Sequence, residues 1–398
     1  MTNILNAKSN NATGPKQAMA FFEFAFRPLF LLASLFSIIA LLVWNGLFTG
    51  SLSLDLYGGA LWWHMHEMLF GFAAAIIVGF LLTAVQNWSG VRSLNGKGLM
   101  LLVAVWLLAR ILFFFPNTIP HWFIALVDIA FLPISAAALA YPIVKAKLWR
   151  NMMFIPILLM MAITNASMHY SVATQNPLLT STTSTAMVLL VTLVMCIMGG
   201  RVFPMFTANG TQTQRVNAVD WLEKLAITST LLAVLAGLKF IELPAMLIAA
   251  IFFVASAAHT LRVFRWKIWV TLKTPLVWSL HLSYWCIAVG LFMYGLSVIT
   301  PAVTHSQAIH ALTVGAMATM ILSMISRVSL GHTGRKIVVG KVMTFAFVAI
   351  ILAFIIRVFG SYWISNYSHV ISIAVGLWAI GYGSFVALYF PILTKPRV

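Results

Sequence analysis

The stretch Gly58 to Gln86, GGALWWHMHEMLFGFAAAIIVGFLLTAVQ, is apolar over a membrane-crossing length, yet carries His64, His66 and Glu67 near its start. A helix needs about 20 apolar residues to cross the hydrocarbon of a bilayer. Ionisable side chains at that depth are costly and persist where they bind a metal, a proton or a partner. Residues two apart on an α-helix point roughly 200° from each other, so His64 and His66 address opposite faces. Two separate metal or haem contacts are one use of that arrangement. Interfacial histidines hydrogen-bonded to neighbouring helices are the other, and the motif leaves both open.

The rest of the chain has the same character. Of 398 residues 62% are hydrophobic and 8% charged, against about 25% charged in a soluble domain. This composition predicts an all-α integral membrane protein. Apolar spans fall at roughly 28–49, 60–87, 97–115, 121–142, 152–171, 182–203, 221–238, 243–262, 276–299, 305–327, 341–359 and 368–391, which makes twelve. A net charge of +17 would suit nucleic acid, but its placement argues for the lipid bilayer as the only extended partner. Lys8, Lys16 and Arg27 precede the first span, and the basic clusters that follow spans two, four, six, eight, ten and twelve lie on that same side. The excess of Lys and Arg in cytoplasmic loops makes that side the cytoplasm, with both termini in it. Only Arg110, Lys239 and Arg357 fall elsewhere. The first twenty residues are polar and run straight into a full-length span, unlike a cleavable signal peptide. The longest polar break, Val202 to Asp220, is short, and Cys196 and Cys286 lie in apolar spans with no metal-site spacing.

A repeat runs through this single polytopic domain. His66 stands five residues before Gly71 and twenty-four before Gly90; His310 stands five before Gly315 and twenty-four before Gly334. Arg110 precedes His121 by eleven residues, and Arg357 precedes His369 by twelve. The spacings predict three arcs of four helices (about 28–150, 151–274 and 275–398) around a pseudo-threefold axis, the middle one matching less cleanly. Seven histidines (His64, His66, His121, His169, His305, His310 and His369) then fall at the outer face, and His259, His281 and His332 toward the cytoplasm. Imidazole is the commonest ligand for haem iron, copper and zinc. Glu67, three residues after His64, is placed to orient that imidazole or relay a proton. Asp128 is the other intramembrane acid. Arg110 and Arg357 would pair with carboxylates such as haem propionates, or snorkel to headgroups. His281 and Tyr284, three apart, share a helix face and predict a separate polar site near the cytoplasmic end, part of a proton route or a satisfied core histidine. A transporter for a small solute or metal ion is the competing class, with Pro156, Pro204 and Gly199-Gly200 as helix breaks.

The segments FRPLFLLAS (Phe26 to Ser34), WHMHEMLFGFAAAIIVGFLLTAVQNWSG (Trp63 to Gly90), GGRVFPMFTANG (Gly199 to Gly210), PLVWSLHLSYWC (Pro275 to Cys286) and HALTVGAMATMILSMISRVSLGHTGR (His310 to Arg335) are spread over nearly the whole chain. Together they resemble the NnrS family of bacterial inner-membrane proteins. The resemblance implies about twelve helices, bound haem and copper, and protection against nitric oxide. It picks out His64, His66, Glu67, His281, Tyr284, His310 and the His332 motif. From the opposite facing of His64 and His66 and the repeat-equivalent position of His310, one of the span-two pair is expected to share a haem, of b type, with His310. The other would face a second centre with His169. If NO is reduced there and not only bound, Glu67 or Tyr170 would donate protons, and a quinol or another redox protein would supply electrons. Twelve helices with histidines on spans two and ten also describe haem–copper oxidases, but their adjacent His-His pair is absent, so that analogy rests on topology alone.

Overall fold

A computed structural model describes residues 20–239 and 241–398; Lys8 and Lys16 lie outside the described residues. These residues fold into twelve long helices with no strand among them: α1 (Phe26–Thr49), α2 (Ala60–Ser89), α3 (Gly96–Leu112), α4 (His121–Lys145), α5 (Phe154–Ala173), α6 (Pro177–Thr211), α7 (Asp220–Gly237), α8 (Ala245–Arg265), α9 (Pro275–Ile299), α10 (His305–His332), α11 (Lys341–Phe359) and α12 (Tyr367–Thr394). Ten are long and apolar enough to cross a membrane. The other two are α3, of 17 residues, and α7, whose start carries Asp220, Glu223 and Lys224. Lipid offers no hydrogen bonds, so a chain this apolar must satisfy its backbone within helices.

Three helices form the interior. In their most apolar windows α2 is 89% buried, α6 83% and α10 72%, against 39–61% for the other candidate spans. α6 packs against both α2 and α10, and the remaining nine helices surround the three. The bundle therefore has three compartments: α2 to α5, α6 to α9, and α10 to α12 with α1. The repeat is visible locally in the first and third. α2 widens into a π-helical segment at Glu67–Ala73, straight after His66, and α10 does so at Ala311–Ala318, straight after His310. Such segments interrupt the regular i→i−4 pattern and recur at functional sites. α6 has none, consistent with its weaker sequence match.

One expectation needs correcting. α6 runs unbroken for 35 residues through Gly199, Gly200 and Pro204, so the polar break shrinks to the residues after Thr211. Thr207 and Thr211 hydroxyls donate back to the Phe203 and Thr207 carbonyls, and Phe203, Pro204 and Thr207 are buried, so packing carries the helix past its proline. Pro156 lies in the first turn of α5, where proline fits. None of these positions is a broken helix of the transporter type.

Gly71 and Gly315, at matched places in the π segments, make room for aromatic neighbours. A Cβ on Gly71 would lie 2.7 Å from the Phe36 ring, and one on Gly315 2.8 Å from the Phe354 ring. Gly71→Ala and Gly315→Ala should each lower stability by about 1–3 kcal/mol in unfolding assays. Gly376→Ala, where a Cβ meets open space, should stay within about 0.5 kcal/mol of the parent protein.

Candidate functional site

The two histidines of α2 face different compartments. His66 is fully buried in the first, and His64 lines a cavity in the third.

In the first compartment a polar cluster joins α2, α3, α4 and α5. Arg110, in the last turn of α3, pairs with Glu67 (Nε to Oε2, 2.9 Å) and with Asp128 Oδ1. Asp128 Oδ2 accepts from Asn165 Nδ2 at 2.7 Å and lies 3.1 Å from both His66 Nε2 and His169 Nε2. The second ring nitrogens are held too: His66 Nδ1 is 2.9 Å from Glu67 Oε1, and His169 Nδ1 is 3.1 Å from the Tyr57 hydroxyl. Tyr57 precedes α2, and burial followed by the nearby Asp128 charge pushes it up to about 12, so it remains a neutral hydroxyl. Trp62 stacks on His66 at 4.5 Å. All the ionisable members are at least nine-tenths buried, so their charges must balance among themselves.

The cavity between α2 and α10 has a volume of about 380 Å³, within the usual range of small-molecule sites. Leu41, Phe72, Val314 and Trp378 make up part of its apolar wall, and His64, His305, His310 and Arg357 supply its polar groups. Trp44 of α1 stacks on His64 at 4.4 Å and 14°, and His64 Nδ1 is buried without a partner. His310 Nδ1 is 2.7 Å from the Ser306 carbonyl, which makes it the protonated nitrogen and leaves the Nε2 lone pair for the cavity. Arg357 reaches the Ser306 hydroxyl at 3.3 Å, and His305 is tied to Thr185 of α6 at 3.2 Å.

The middle compartment holds a third cluster nearer the basic end. The Tyr284 hydroxyl accepts from Arg262 at 2.6 Å and meets His259 Nδ1 at 2.9 Å, while His259 Nε2 meets Thr230 at 2.8 Å and Cys196 Sγ at 3.4 Å. Arg262 also pairs with Glu223, the half-exposed end of this network.

Several expectations about individual residues change. Glu67 contacts His66 and Arg110, not His64, because its carboxylate turns to the buried Arg110 guanidinium of α3. Arg110 neither snorkels nor faces the cavity: two buried carboxylates hold it inside. Tyr170 is 63% exposed on the outside of α5; adjacency to the inward-facing His169 turns it about 100° away. His281 and Tyr284 are both buried but in different hydrogen bonds, His281 Nε2 meeting Thr207 at 2.7 Å. His332 packs against Phe26 at the basic end. His121 lies edge-on to Tyr57 at the rim of the first cluster, and His369 is exposed.

Asp128, the centre of the first cluster, was visible as an intramembrane acid but was not joined to the histidines by any sequence spacing. Asn165, Tyr57 and Trp44 carried no signal: each is an ordinary residue until folding places it.

Arg110→Ala should leave Glu67 and Asp128 facing each other uncompensated, a loss of about 3–5 kcal/mol. Arg110→Lys should recover part of it, as read by unfolding of the detergent-purified protein. Tyr284→Phe, which strips Arg262 and His259 of a shared partner, should cost about 1–3 kcal/mol in the same assay.

Comparison with curated proteins finds no significant match. The family described as NnrS protein matches residues 20–397, nearly the whole chain. The match takes in all three compartments, and with it the chain belongs to the NnrS family.

Proposed function

We propose that this protein binds haem in the cavity between α2 and α10 and thereby captures nitric oxide, as a component of the bacterial response to nitrosative stress. Family membership supports the physiological setting. The observation that carries the chemistry is the pair His64 and His310: two imidazoles from two helices, on one apolar cavity, neither spending its Nε2 on a protein hydrogen bond.

The residues fit that group. His310 presents a lone pair oriented by its own bond to the Ser306 carbonyl, the arrangement found in metal-bound histidines. Trp44 holds the His64 ring by stacking. Arg357 offers a planar fork suited to a propionate carboxylate. Ferrous haem, held through one of the two imidazoles, would supply an iron atom with a position open to NO. The apolar walls suit an apolar gas. In this reading the basic end of the bundle is cytoplasmic and the protein sits in the inner membrane with both termini inside. Glu67, turned into the first compartment, does not line the cavity. Capture of NO, not its reduction with quinol-derived electrons, is therefore the activity proposed.

Visible absorption of the purified protein is the test. A Soret band that shifts on adding NO is expected. His64→Ala and His310→Ala should each lose haem or displace the band, and Arg357→Ala should weaken haem retention. His66→Ala should keep the haem. A colourless protein, or an unchanged spectrum in both the His64 and His310 variants, would overturn the proposal.

A further inference from the structure

The turn that follows α8 is built twice in this chain. Arg265-Trp266-Lys267-Ile268-Trp269 after α8 echoes Lys145-Ala146-Lys147-Leu148-Trp149 after α4: a cation, a lysine two residues on, and a tryptophan two beyond that. The backbone repeats as well. Lys147 and Lys267 both take the left-handed conformation, at φ 54° and 60°, and a short 3₁₀ turn comes close behind each, at Trp149–Asn151 and Ile268–Thr271. Both turns lie at the basic end of the bundle, and tryptophan and lysine suit the headgroup layer of a bilayer. Interfacial anchoring therefore accounts for what the two turns share. It does not account for how they differ. After α4, Lys145 Nζ donates to the hydroxyl of its own helix's Tyr141 at 3.1 Å. After α8, Arg265 reaches across to the segment between α6 and α7, where its Nη2 donates to the Asn217 carbonyl at 3.3 Å. Between that segment and the end of α8 lies a groove of about 440 Å³.

We infer that this groove binds an anionic phospholipid, with the phosphate among Arg215, Arg265 and Lys267 and an acyl chain running along Phe264 and Leu261. Three cations line the groove and, among the described residues, no carboxylate does. Glu223, in the first turn of α7, is committed to Arg262 and cannot neutralise them. Arginine forks suit phosphate oxygens, and Gln214 adds a neutral donor beside them. The opposite wall is apolar. Phe264 and Trp269 meet edge to face with ring centroids 5.5 Å apart, and both are more than half exposed. From Phe264 an exposed apolar track runs back along one face of α8 through Leu261, Ala257 and Val254. At 1.5 Å per residue it is about 15 Å long, and it lies on a helix apolar enough to cross the membrane. A free phosphate would leave the aromatic wall and the track unused. A zwitterionic lipid would bring an ammonium group to a groove that has no acid to receive it. Basic pockets at the cytoplasmic ends of membrane helices hold acidic headgroups by this chemistry. The groove shares no residue with the cavity between α2 and α10, so the site does not depend on haem there.

The test is made on the full-length protein, delipidated in detergent and titrated with dioleoyl phosphatidylglycerol, dioleoyl phosphatidylcholine or inorganic phosphate. Native mass spectrometry reads the bound lipid, and melting temperature reads its effect on the fold. Phosphatidylglycerol is expected to stay bound, and to raise the melting temperature, at concentrations where phosphatidylcholine does neither. A cation beside an acidic headgroup is worth about a fivefold gain in affinity. Arg215→Ala should therefore weaken phosphatidylglycerol binding about fivefold, and Arg265→Ala combined with Lys267→Ala about 25-fold. The matched control is Lys145→Ala combined with Lys147→Ala, which removes the same charge at the equivalent turn and should stay within about twofold of the parent protein. All five residues are exposed, so the lipid-free melting temperature of each variant checks that it has folded. If a double variant does not fold, the headgroup selectivity of the parent protein decides. Equal retention of the two lipids would overturn the inference. Equal losses in the two double variants would overturn it too, reducing the effect to net surface charge. Displacement of phosphatidylglycerol by millimolar phosphate would assign the groove to a free anion and dismiss the lipid. Any Soret band should be the same in every variant, so failure here and failure of the haem proposal are read separately.

Discussion

Arg110 between Glu67 and Asp128 is the interaction on which the first compartment depends. Burying a charge costs several kcal/mol even after relaxation, and in a membrane there is no aqueous detour for a short side chain. The guanidinium fork meets a carboxylate from α2 on one edge and one from α4 on the other, and so fixes three helices in register. His66, His169 and Asn165 then take their positions from the remaining oxygens of those acids. The chemistry of the compartment follows from how an odd number of buried charges is made even.

The pseudo-threefold bundle uses one frame for three environments. The first compartment is packed with ion pairs. The third, in the equivalent place, sets Arg357 and His310 around an apolar cavity with no carboxylate to fill it. The middle one carries a neutral tyrosine–histidine–cysteine network tied to Glu223 through Arg262. His66 and His310 share the start of a π segment, yet one lies in a saturated cluster and the other faces open space. Rotation about the axis explains this: corresponding faces of α2 and α10 look into different compartments, so His64, on the opposite face of α2, is the residue that joins His310.

Much of this was legible in the chain. Apolar runs near twenty residues and matched His–Gly spacings are local or periodic quantities, and they placed the helices and the repeat of α2 in α10. The opposite facing of His64 and His66 follows from helical geometry alone. Proline and paired glycines misled at α6, because helix-breaking tendency is a weak term beside burial and threonine back-bonding. Tyr170 misled because a neighbour in sequence is a third of a turn away in space.

The sequence by itself determined that the protein is a membrane bundle of twelve long helices, since lipid admits only a few backbone solutions and every one is written in local composition. Only the tertiary structure decided which histidine meets which acid. Asp128 comes from α4, Asn165 and His169 from α5, and Tyr57 from the segment before α2, up to 112 residues apart in the pairs they form, and no period links the three elements. Their meeting is set by the packing of α2, α4 and α5 and by the need to cancel buried charge, a condition on the whole compartment that no single stretch of sequence expresses.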